Sequence, residues 1–364
     1  MKHDSRKLAT LVALASTLGI AAQPALGERY TVTDLGTLPG YANSFVWELT
    51  LNNNGGVGVY ANNPLNPNAF SGDASFLWHA GKATRLPALP GATDTLVTAL
   101  NDRFEAVGFS GADGLLVHAV LWKNGKVRDL GTLPGDGYSI AINLNNRDQV
   151  VGDSFVADDP KNNFFGGHHA VVWTHGDIRL LPSLPGRGAD DIAFAINDNG
   201  QIVGQSGPDD GHIHAVLWDE DGQVEDLGTL GGDSSFAIGI GPDGRVVGGA
   251  QAADGNERAF VWRKGVMTEL GTAGDDVFVE AVSINKQGQS VGISAANLTD
   301  LTAARATMWE EGGAVVVLQT EISPDSGWQL LGAASINDRG QIAGYGMHNG
   351  LYRAFLLTPK RPDD

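Results

Sequence analysis

The chain has 364 residues, of which 42% are hydrophobic and 18% are charged, and it contains no cysteine. This composition is that of a globular protein with ample length for a buried core, and the missing cysteines exclude thiol catalysis, thiolate metal sites and disulfide bonds. The formal net charge of −18 repels phosphate backbones, so we expect no nucleic-acid partner.

Residues 1–27 have the pattern of a secretory signal peptide. A basic start at residues 2–7 precedes an apolar stretch at residues 8–22 and a small-residue cleavage site at residues 25–27. The apolar stretch is shorter than the roughly 20 residues that a spanning helix needs, so we expect cleavage and no membrane span afterwards. Cleavage leaves 21 basic and 41 acidic residues, a net charge of −20. We therefore predict a periplasmic or extracellular protein.

One sequence unit recurs seven times after the leader. Its landmark is an Ile-Asn or Leu-Asn dipeptide (Ile-Gly in one copy), and successive copies are 49, 44, 52, 44, 44 and 52 residues apart. A period of about 40 to 50 residues with several short strands is typical of a propeller or a solenoid. The seven copies of the dipeptide begin at Leu51, Leu100, Leu144, Ile196, Ile240, Ile284 and Ile336.

A single copy predicts four short strands. Turn signals, Asp-Asn-Gly and Asp-Glu-Asp-Gly, separate the first strand from the second and the third from the fourth. Four antiparallel strands joined by tight turns form one blade of a propeller. In the clearest copy the strands are predicted at 192–197, 201–206, 214–218 and 223–230.

Two repeated positions have structural interpretations. The Asn of the dipeptide suits an Asx-type turn after the first strand. The third strand ends in Trp in six copies, and we expect this side chain to fill the space between neighbouring blades. The six residues are Trp78, Trp122, Trp173, Trp218, Trp262 and Trp309.

A third repeated position pairs a cation with an acid. The turn at Asn124-Gly125 sets a register that places Asp129 opposite Val120 and diagonal to His118, within reach of a charge-assisted hydrogen bond. Other copies carry Arg instead of His, and an always-protonated Arg cannot serve as a base. We therefore interpret the pairs as structural. The expected pairs are His118/Asp129, His214/Asp226, Arg258/Glu269 and Arg353/Asp34.

The last copy contains three strands, and its missing fourth strand is found at the other end of the chain, at residues 31–38. We predict an all-β fold over residues 28–359: a seven-bladed β-propeller of four-stranded antiparallel blades, in which the N-terminal strand completes the last blade. Residues 360–364 form a short tail. We expect the closed ring to be a monomer.

The Asp-Leu-Gly-Thr-Leu-Gly-Gly and Gly-Gln-Ile-Val-Gly segments together resemble the HAF-repeat family of bacterial extracellular proteins, which is named for a His-Ala-Phe triplet. This chain has Arg-Ala-Phe at 258–260 and 353–355, and its histidines at this position precede Ala-Val. The resemblance extends from about Tyr30 to Leu357. It implies an exported propeller-like protein and implies no activity or catalytic residue.

The connections between second and third strands vary most among the copies, which suits a binding surface on one face. Their carboxylates could bind Ca²⁺, although adjacent aspartates lack the alternating spacing of a calcium loop, so we assign no cofactor. Four histidines, at 168, 169, 212 and 214, could instead converge on a transition metal. The candidate binding residues are Asp158, Asp159, Phe164, Phe165, His168, Asp209, Asp210 and His212.

Enzyme motifs are absent: the sequence contains no nucleophile elbow, HExxH motif, P-loop or dinucleotide fingerprint. We therefore expect a secreted, non-catalytic binding module whose loop face recognises a glycan, a cell-envelope component or a protein. The alternative is a propeller-type glycoside hydrolase or polysaccharide lyase, with paired carboxylates drawn from scattered residues around the central channel.

Overall fold

Seven sheets, each of four antiparallel strands, make up the computed structural model of the chain. Within the residues it describes there are only two short 3₁₀ helices, Leu318–Glu321 and Pro324–Ser326, and no helix with the length and hydropathy required to cross a membrane. The described residues are 28–62, 73–112, 115–156, 167–186, 190–207, 212–296 and 304–361.

The strands follow one another four to a blade. Blades 1 to 6 comprise β2–β5, β6–β9, β10–β13, β14–β17, β18–β21 and β22–β25, and blade 7 comprises β26–β28 with β1. In chain order the strands are β1 (Tyr30–Asp34), β2 (Asn43–Phe45), β3 (Val57–Asn62), β4 (Ala74–His79), β5 (Lys82–Arg85), β6 (Asp94–Leu100), β7 (Ala106–Ala112), β8 (Leu115–Lys123), β9 (Lys126–Asp129), β10 (Tyr138–Leu144), β11 (Gln149–Phe155), β12 (His168–Thr174), β13 (Asp177–Leu180), β14 (Ile192–Ile196), β15 (Ile202–Ser206), β16 (His214–Trp218), β17 (Val224–Asp226), β18 (Gly231–Ile240), β19 (Val246–Ala252), β20 (Glu257–Arg263), β21 (Val266–Glu269), β22 (Phe278–Ile284), β23 (Ser290–Ala295), β24 (Arg305–Trp309), β25 (Val315–Val317), β26 (Trp328–Ile336), β27 (Ile342–His348) and β28 (Leu351–Pro359).

The first strand of each blade lies nearest the central axis, since the first strands of blades 2 to 7 contact one another in series around it. The turns between first and second strands and between third and fourth strands lie on one side of the ring, which we call the turn face. The remaining connections lie on the opposite side, the loop face. The predicted seven-bladed propeller is thus confirmed.

The ring is closed by the two ends of the chain. Strand β1 pairs antiparallel with β28, from Tyr30 opposite Pro359 to Asp34 opposite Phe355. This confirms the predicted closure, although the strand ends at Asp34 rather than at residue 38. Gly36 has a backbone φ of 69°, which glycine adopts without steric strain and which turns the chain away from the sheet.

The hydrophobic core is divided among the spaces between adjacent blades. Trp218 is fully buried and packs with Val151 and Val172 of blade 3 and Val216 of its own blade 4. Its indole N–H donates to the carbonyl of Pro182 at 2.7 Å. The repeated tryptophan therefore fills the space between blades, as predicted from the repeat. The other fully buried members of the set are Trp122, Trp173 and Trp309.

A belt of asparagine hydrogen bonds runs around the turn face. In six of the seven turns after a first strand, the Asn Oδ1 accepts from backbone N–H groups two and four residues later, which confirms the Asx-type turn. The side-chain Nδ2 also donates to the backbone carbonyl at the equivalent position of the next blade, over 2.9–3.3 Å. The donors are Asn52, Asn101, Asn145, Asn197, Asn285 and Asn337, and the last closes the ring onto Asn52.

Blade 5 interrupts this belt, because Gly241 has no side chain to donate to blade 6. Arg245 of the same turn takes over the role. It is 7% exposed, its Nε bonds Asp243 at 2.7 Å, and its guanidinium donates to the carbonyl of Lys286 in blade 6 at 3.1 Å. The link between blades 5 and 6 is therefore made by a charged group.

We predict that Asn197→Ala lowers the free energy of unfolding by about 1–3 kcal/mol, because it leaves turn N–H groups and the Gly241 carbonyl without their partner. Urea unfolding measures the change. Asn199→Ala is the matched control: this residue lies in the same turn and its side chain makes one exposed bond, to the Pro242 carbonyl. Equal losses in the two variants would contradict a stabilising belt.

Candidate functional site

Six of the eight predicted binding residues, at 158, 159, 164, 165, 209 and 210, lie outside the described residues. A calcium site in those loops stays a prediction. Within the described residues no group of three or more His, Asp and Glu side chains has the arrangement of a metal site.

His168 lies between blades rather than on an outer loop. It is 5% exposed, its Nδ1 bonds the carboxylate of Asp153 on β11, and its backbone carbonyl accepts the N–H of Asp191 at 3.0 Å. Burial raises the pKa of Asp153, and the hydrogen bond from His168 opposes that rise. Both residues belong to blade 3, and the backbone bond to Asp191 links His168 to blade 4. His212, in contrast, is exposed and lies two residues before the third strand, β16.

The described histidines near these loops have separate acidic partners. His169 contacts Asp136 at 3.1 Å and His214 contacts Asp226 at 2.9 Å, in addition to the bond between His168 and Asp153. Each imidazole is therefore held by a different carboxylate, and the structure does not bring these side chains together around one ion.

The predicted cation–acid pairs are present. Asp129 lies opposite Val120 in the ladder, and the remaining two sites of this type use acids outside the fourth strand: Asp136 for His169, and Asp276 for Arg305. The pairing is thus structural and distributed around the ring. The pairs found are His118–Asp129 (2.8 Å), His214–Asp226 (2.9 Å), Arg258–Glu269 (3.4 Å) and Arg353–Asp34 (4.0 Å).

Blade 1 departs from the other blades in its first strand. In blade 3 a single bulged residue, Ile142, separates two ladder pairs of the first strand. In blade 1 the ladder stops after Phe45 and resumes where the carbonyl of Thr50 accepts the N–H of Gly58. Residues 47–49, Trp-Glu-Leu, therefore form a longer bulge on the strand nearest the axis.

Leu49 ends this bulge and reaches across the channel. Its φ is 61°, its N–H donates to the carbonyl of Ala334 in blade 7 at 3.3 Å, and its side chain packs against the core shared by blades 4 and 5. Because those blades lie opposite blade 1, this contact crosses the channel. Trp47 precedes Leu49 on the way from the loop face and stays 36% exposed. We call the part of the channel between the loop face and Leu49 the channel recess.

The bulge of blade 1 carries one carboxyl group, that of Glu48, and Glu280 on β22 of blade 6 is a second carboxyl group near the axis. The other blades have an apolar residue at the position of Glu280. Glu280 stands directly before the small residue of the first strand, Ala281 in blade 6. The equivalent residues in the other blades are Phe45, Leu96, Ile140, Ile192, Phe236 and Gly332. At Gly332 the ring of Tyr345 takes the space, since a Cβ there would lie 2.6 Å from the ring.

The two channel glutamates have raised pKa values. Burial raises the pKa of Glu48 to about 7. Burial, together with the negative charges of Glu48 and Glu257, raises the pKa of Glu280 to about 8. Near neutral pH the pair therefore retains protons, so that one carboxyl group can donate a hydrogen bond while the other accepts one.

Aromatic rings of blades 1 and 7 form a platform beside these carboxyl groups. The ring of Phe45 stacks on Tyr60 with centroids 5.4 Å apart, and it contacts Tyr352 at 5.4 Å and Tyr345 at 6.0 Å. Trp47 extends the platform, with its ring 6.5 Å from that of Tyr60.

The charges of the nearby carboxyl groups affect the pKa values of two tyrosines. Burial, followed by the charges of Glu48 and Glu280, raises the pKa of Tyr345. Burial, followed by the charge of Asp73, raises the pKa of Tyr60. Burial and a neighbouring carboxylate in turn raise the pKa of Asp73 to about 6. These phenols therefore stay protonated and can donate hydrogen bonds at any physiological pH.

Together these residues define a site that we call the channel cluster. It combines partly protonated carboxyl groups, phenols and an exposed indole in a recess that blades 6, 7 and 1 share. Such a site can exchange hydrogen bonds with hydroxyl groups and stack against an apolar ring face. The channel cluster consists of Phe45, Trp47, Glu48, Tyr60, Asp73, Glu280, Tyr345 and Tyr352.

Sequence reasoning missed this site, although two signals were present. Glu280 stands where the aligned copies at residues 192 and 236 carry Ile and Phe. Trp47 is one of only two tryptophans that lie outside the repeated Trp position. A comparison of the copies for their exceptions, rather than for their shared residues, would have singled out both.

No family model matches the chain, and no curated protein matches it. Solved propellers do match. The β-propeller domain of the Trilobed protease from Pyrococcus furiosus has a TM-score of 0.57 at 9% identity, over 88% of this chain and 94% of that chain. An oligogalacturonate lyase in complex with manganese has a TM-score of 0.51 at 11% identity, over 92% of this chain and 97% of that chain. Similarity at these identities shows a shared fold.

A third match is a puromycin-hydrolyzing peptidase from Mycobacterium tuberculosis, with a TM-score of 0.54 at 14% identity. The alignment covers 90% of this chain and 56% of that chain. It too is a likeness of fold.

We predict that the melting temperature of Glu280→Gln falls less at alkaline pH than that of the wild type. A raised pKa means that the native state holds a proton which the unfolded chain releases, so wild-type stability falls as pH rises from about 5 through the folded pKa of about 8. The variant cannot ionise at this position. Its melting temperature should match that of the wild type at about pH 5 and exceed it at about pH 9.

Glu225→Gln is the matched control, because this carboxyl group is exposed on β17. Asp73 and Asp153 also have raised pKa values. Their contribution to the pH dependence of stability is the same in the wild type and in both variants. Parallel curves of melting temperature against pH for the wild type and Glu280→Gln would contradict the assigned environment of Glu280.

Proposed function

We propose that the protein is a secreted, non-catalytic propeller that binds a neutral oligosaccharide at the channel cluster. The exposed indole of Trp47, set beside protonated carboxyl groups in a recess on the loop face, is the observation that carries the proposal. Indole and phenol rings stack on the apolar faces of sugars, and protonated carboxyl groups both donate to and accept from sugar hydroxyls.

The electrostatics of the recess favour an uncharged ligand. The chain as a whole is acidic, which repels anions. Near neutral pH the raised pKa values of Glu48 and Glu280 leave the recess only partly ionised, so it lacks the full charge that would hold a cation. The signal-like leader and the resemblance to HAF-repeat proteins support a site of action outside the cytoplasm.

We predict that Trp47→Ala weakens oligosaccharide binding by about tenfold or more, through the loss of the stacking surface. The measurement is isothermal titration with a panel of neutral oligosaccharides, followed by the variant on the best ligand. Leu180→Ala, at a 52% exposed apolar residue of the outer strand β13, is the matched control. Failure of every oligosaccharide to bind, or unchanged binding by Trp47→Ala, would rule out the proposed site.

A second candidate function, cleavage of a glycosidic bond, is favoured by one observation. Glu48 and Glu280 are neighbouring carboxyl groups whose pKa values lie near neutrality, and glycoside hydrolysis uses one protonated and one ionised carboxyl group. Analysis of the same titration mixtures for shortened products separates the two functions. Product formation that Glu280→Gln abolishes while binding persists would establish the enzyme in place of the binding module.

A further inference from the structure

A second recess lies away from the channel cluster, between the outer halves of blades 2 and 3. Its volume is 310 Å³, within the range of small-molecule sites. It borders the turn at Asn124-Gly125 of blade 2 and the turn at His175-Gly176 of blade 3, which lie on the turn face. It is therefore separate from the proposed oligosaccharide site, and a ligand bound there would add a second function to the protein.

The pairing of β8 with β9 places three cationic side chains at this recess. Leu121 lies opposite Arg128, and Lys123 lies opposite Lys126. Residues paired across a ladder project from the same face of the sheet. Since Leu121 packs in the core shared by blades 2 and 3, all four side chains face blade 3. Lys123, Lys126 and Arg128 thus line the recess.

Two of these cations have no acidic partner among the described residues. The carboxylate of Glu105 contacts Lys123 at 2.6 Å and Arg103 at 2.6 Å, and Asp148 contacts the same two cations. Within the part of the chain that the structure describes, no ion pair involves Lys126 or Arg128. In a protein of net charge −18, two uncompensated cations at one recess mark a local preference for an anion.

The opposite wall, formed by blade 3, has an apolar part. Leu144, Val150 and Trp173 line it there, and Asp148 and His175 line the rest of the same wall. Trp173 is 1% exposed, and its indole N–H has no acceptor among the described residues, whereas the equivalent Trp122 donates to the carbonyl of Pro87 at 2.8 Å. The wall thus combines a hydrophobic surface with a buried donor that the described part of the chain does not satisfy.

We propose that this recess binds a small organic carboxylate with an apolar body. The carboxylate lies between Lys126 and Arg128, where charge-assisted hydrogen bonds are strongest, and the apolar body lies against Leu144 and Trp173. The recess favours a ligand with both parts, because Lys126 and Arg128 of blade 2 face the apolar side chains of Leu144 and Trp173 in blade 3.

The test uses three probes of graded chemistry with the purified protein: phenylacetate, its neutral isostere phenylacetamide, and acetate. We expect phenylacetate to bind at least about tenfold more tightly than either of the others, since only it supplies both charge and an apolar ring. Its affinity should fall as salt is raised. Calorimetry measures all three, and equal affinity for phenylacetate and phenylacetamide, or no binding of phenylacetate, would overturn the proposal.

Substitutions at Lys126 and Arg128 test whether phenylacetate binds in this recess. Lys126→Ala with Arg128→Ala should weaken phenylacetate binding by about tenfold or more and leave the melting temperature unchanged, because neither side chain forms an ion pair with a described residue. Lys82→Ala is the matched control, since Lys82 opens β5 as Lys126 opens β9 in the next blade. Unchanged binding in the double variant, or an equal loss in Lys82→Ala, would place the ligand elsewhere and overturn the assignment.

Discussion

The hydrogen bond from an asparagine side chain to the carbonyl of the next blade is the contact on which the ring depends. Neighbouring blades must be joined all the way around, so the fold requires a link that each blade makes in the same way. Asn197 shows how one side chain satisfies its own turn and the adjoining blade at once. Where Gly241 breaks the series, Arg245 restores the link with a charged group, and β1 provides the remaining closure by pairing with β28.

This arrangement separates stability from function. The asparagine belt lies on the turn face, and the core lies between the blades. The residues of the first strands that face the channel belong to neither, so they can be replaced without loss of the ring. In blade 1, residues 47–49 leave the ladder, Leu49 crosses the channel, and Trp47 stays exposed. In blade 6, Glu280 stands where most other blades have an apolar side chain. The exceptions to the repeat converge at the axis, where a ligand can meet several blades.

The repeat predicted the fold because the features that define a blade are local. The spacing of turns and the register at Asp129 are readable within a short stretch of sequence, and the strand missing from the last copy is recognised by its repeat sequence at the other end of the chain. The channel cluster was not predicted because Glu48 and Glu280 are distant in sequence and meet only through the geometry of the closed ring. The sequence also placed His168 at the end of a variable connection, whereas the structure places it at the start of β12 with a buried bond to Asp153.

Carbon-13 NMR of the side-chain carboxyl groups of glutamate, followed across a pH titration and assigned with Glu48→Gln and Glu280→Gln, tests the buried carboxyl pair of the channel. We expect two resonances that titrate with midpoints near 7 and 8. Each should be lost in one variant, and the midpoint of Glu280 should shift toward lower pH in Glu48→Gln because the charge of Glu48 has been removed. If both glutamates titrate with the ordinary midpoint of about 4.3, the channel does not hold a buried carboxyl pair and the proposed site fails.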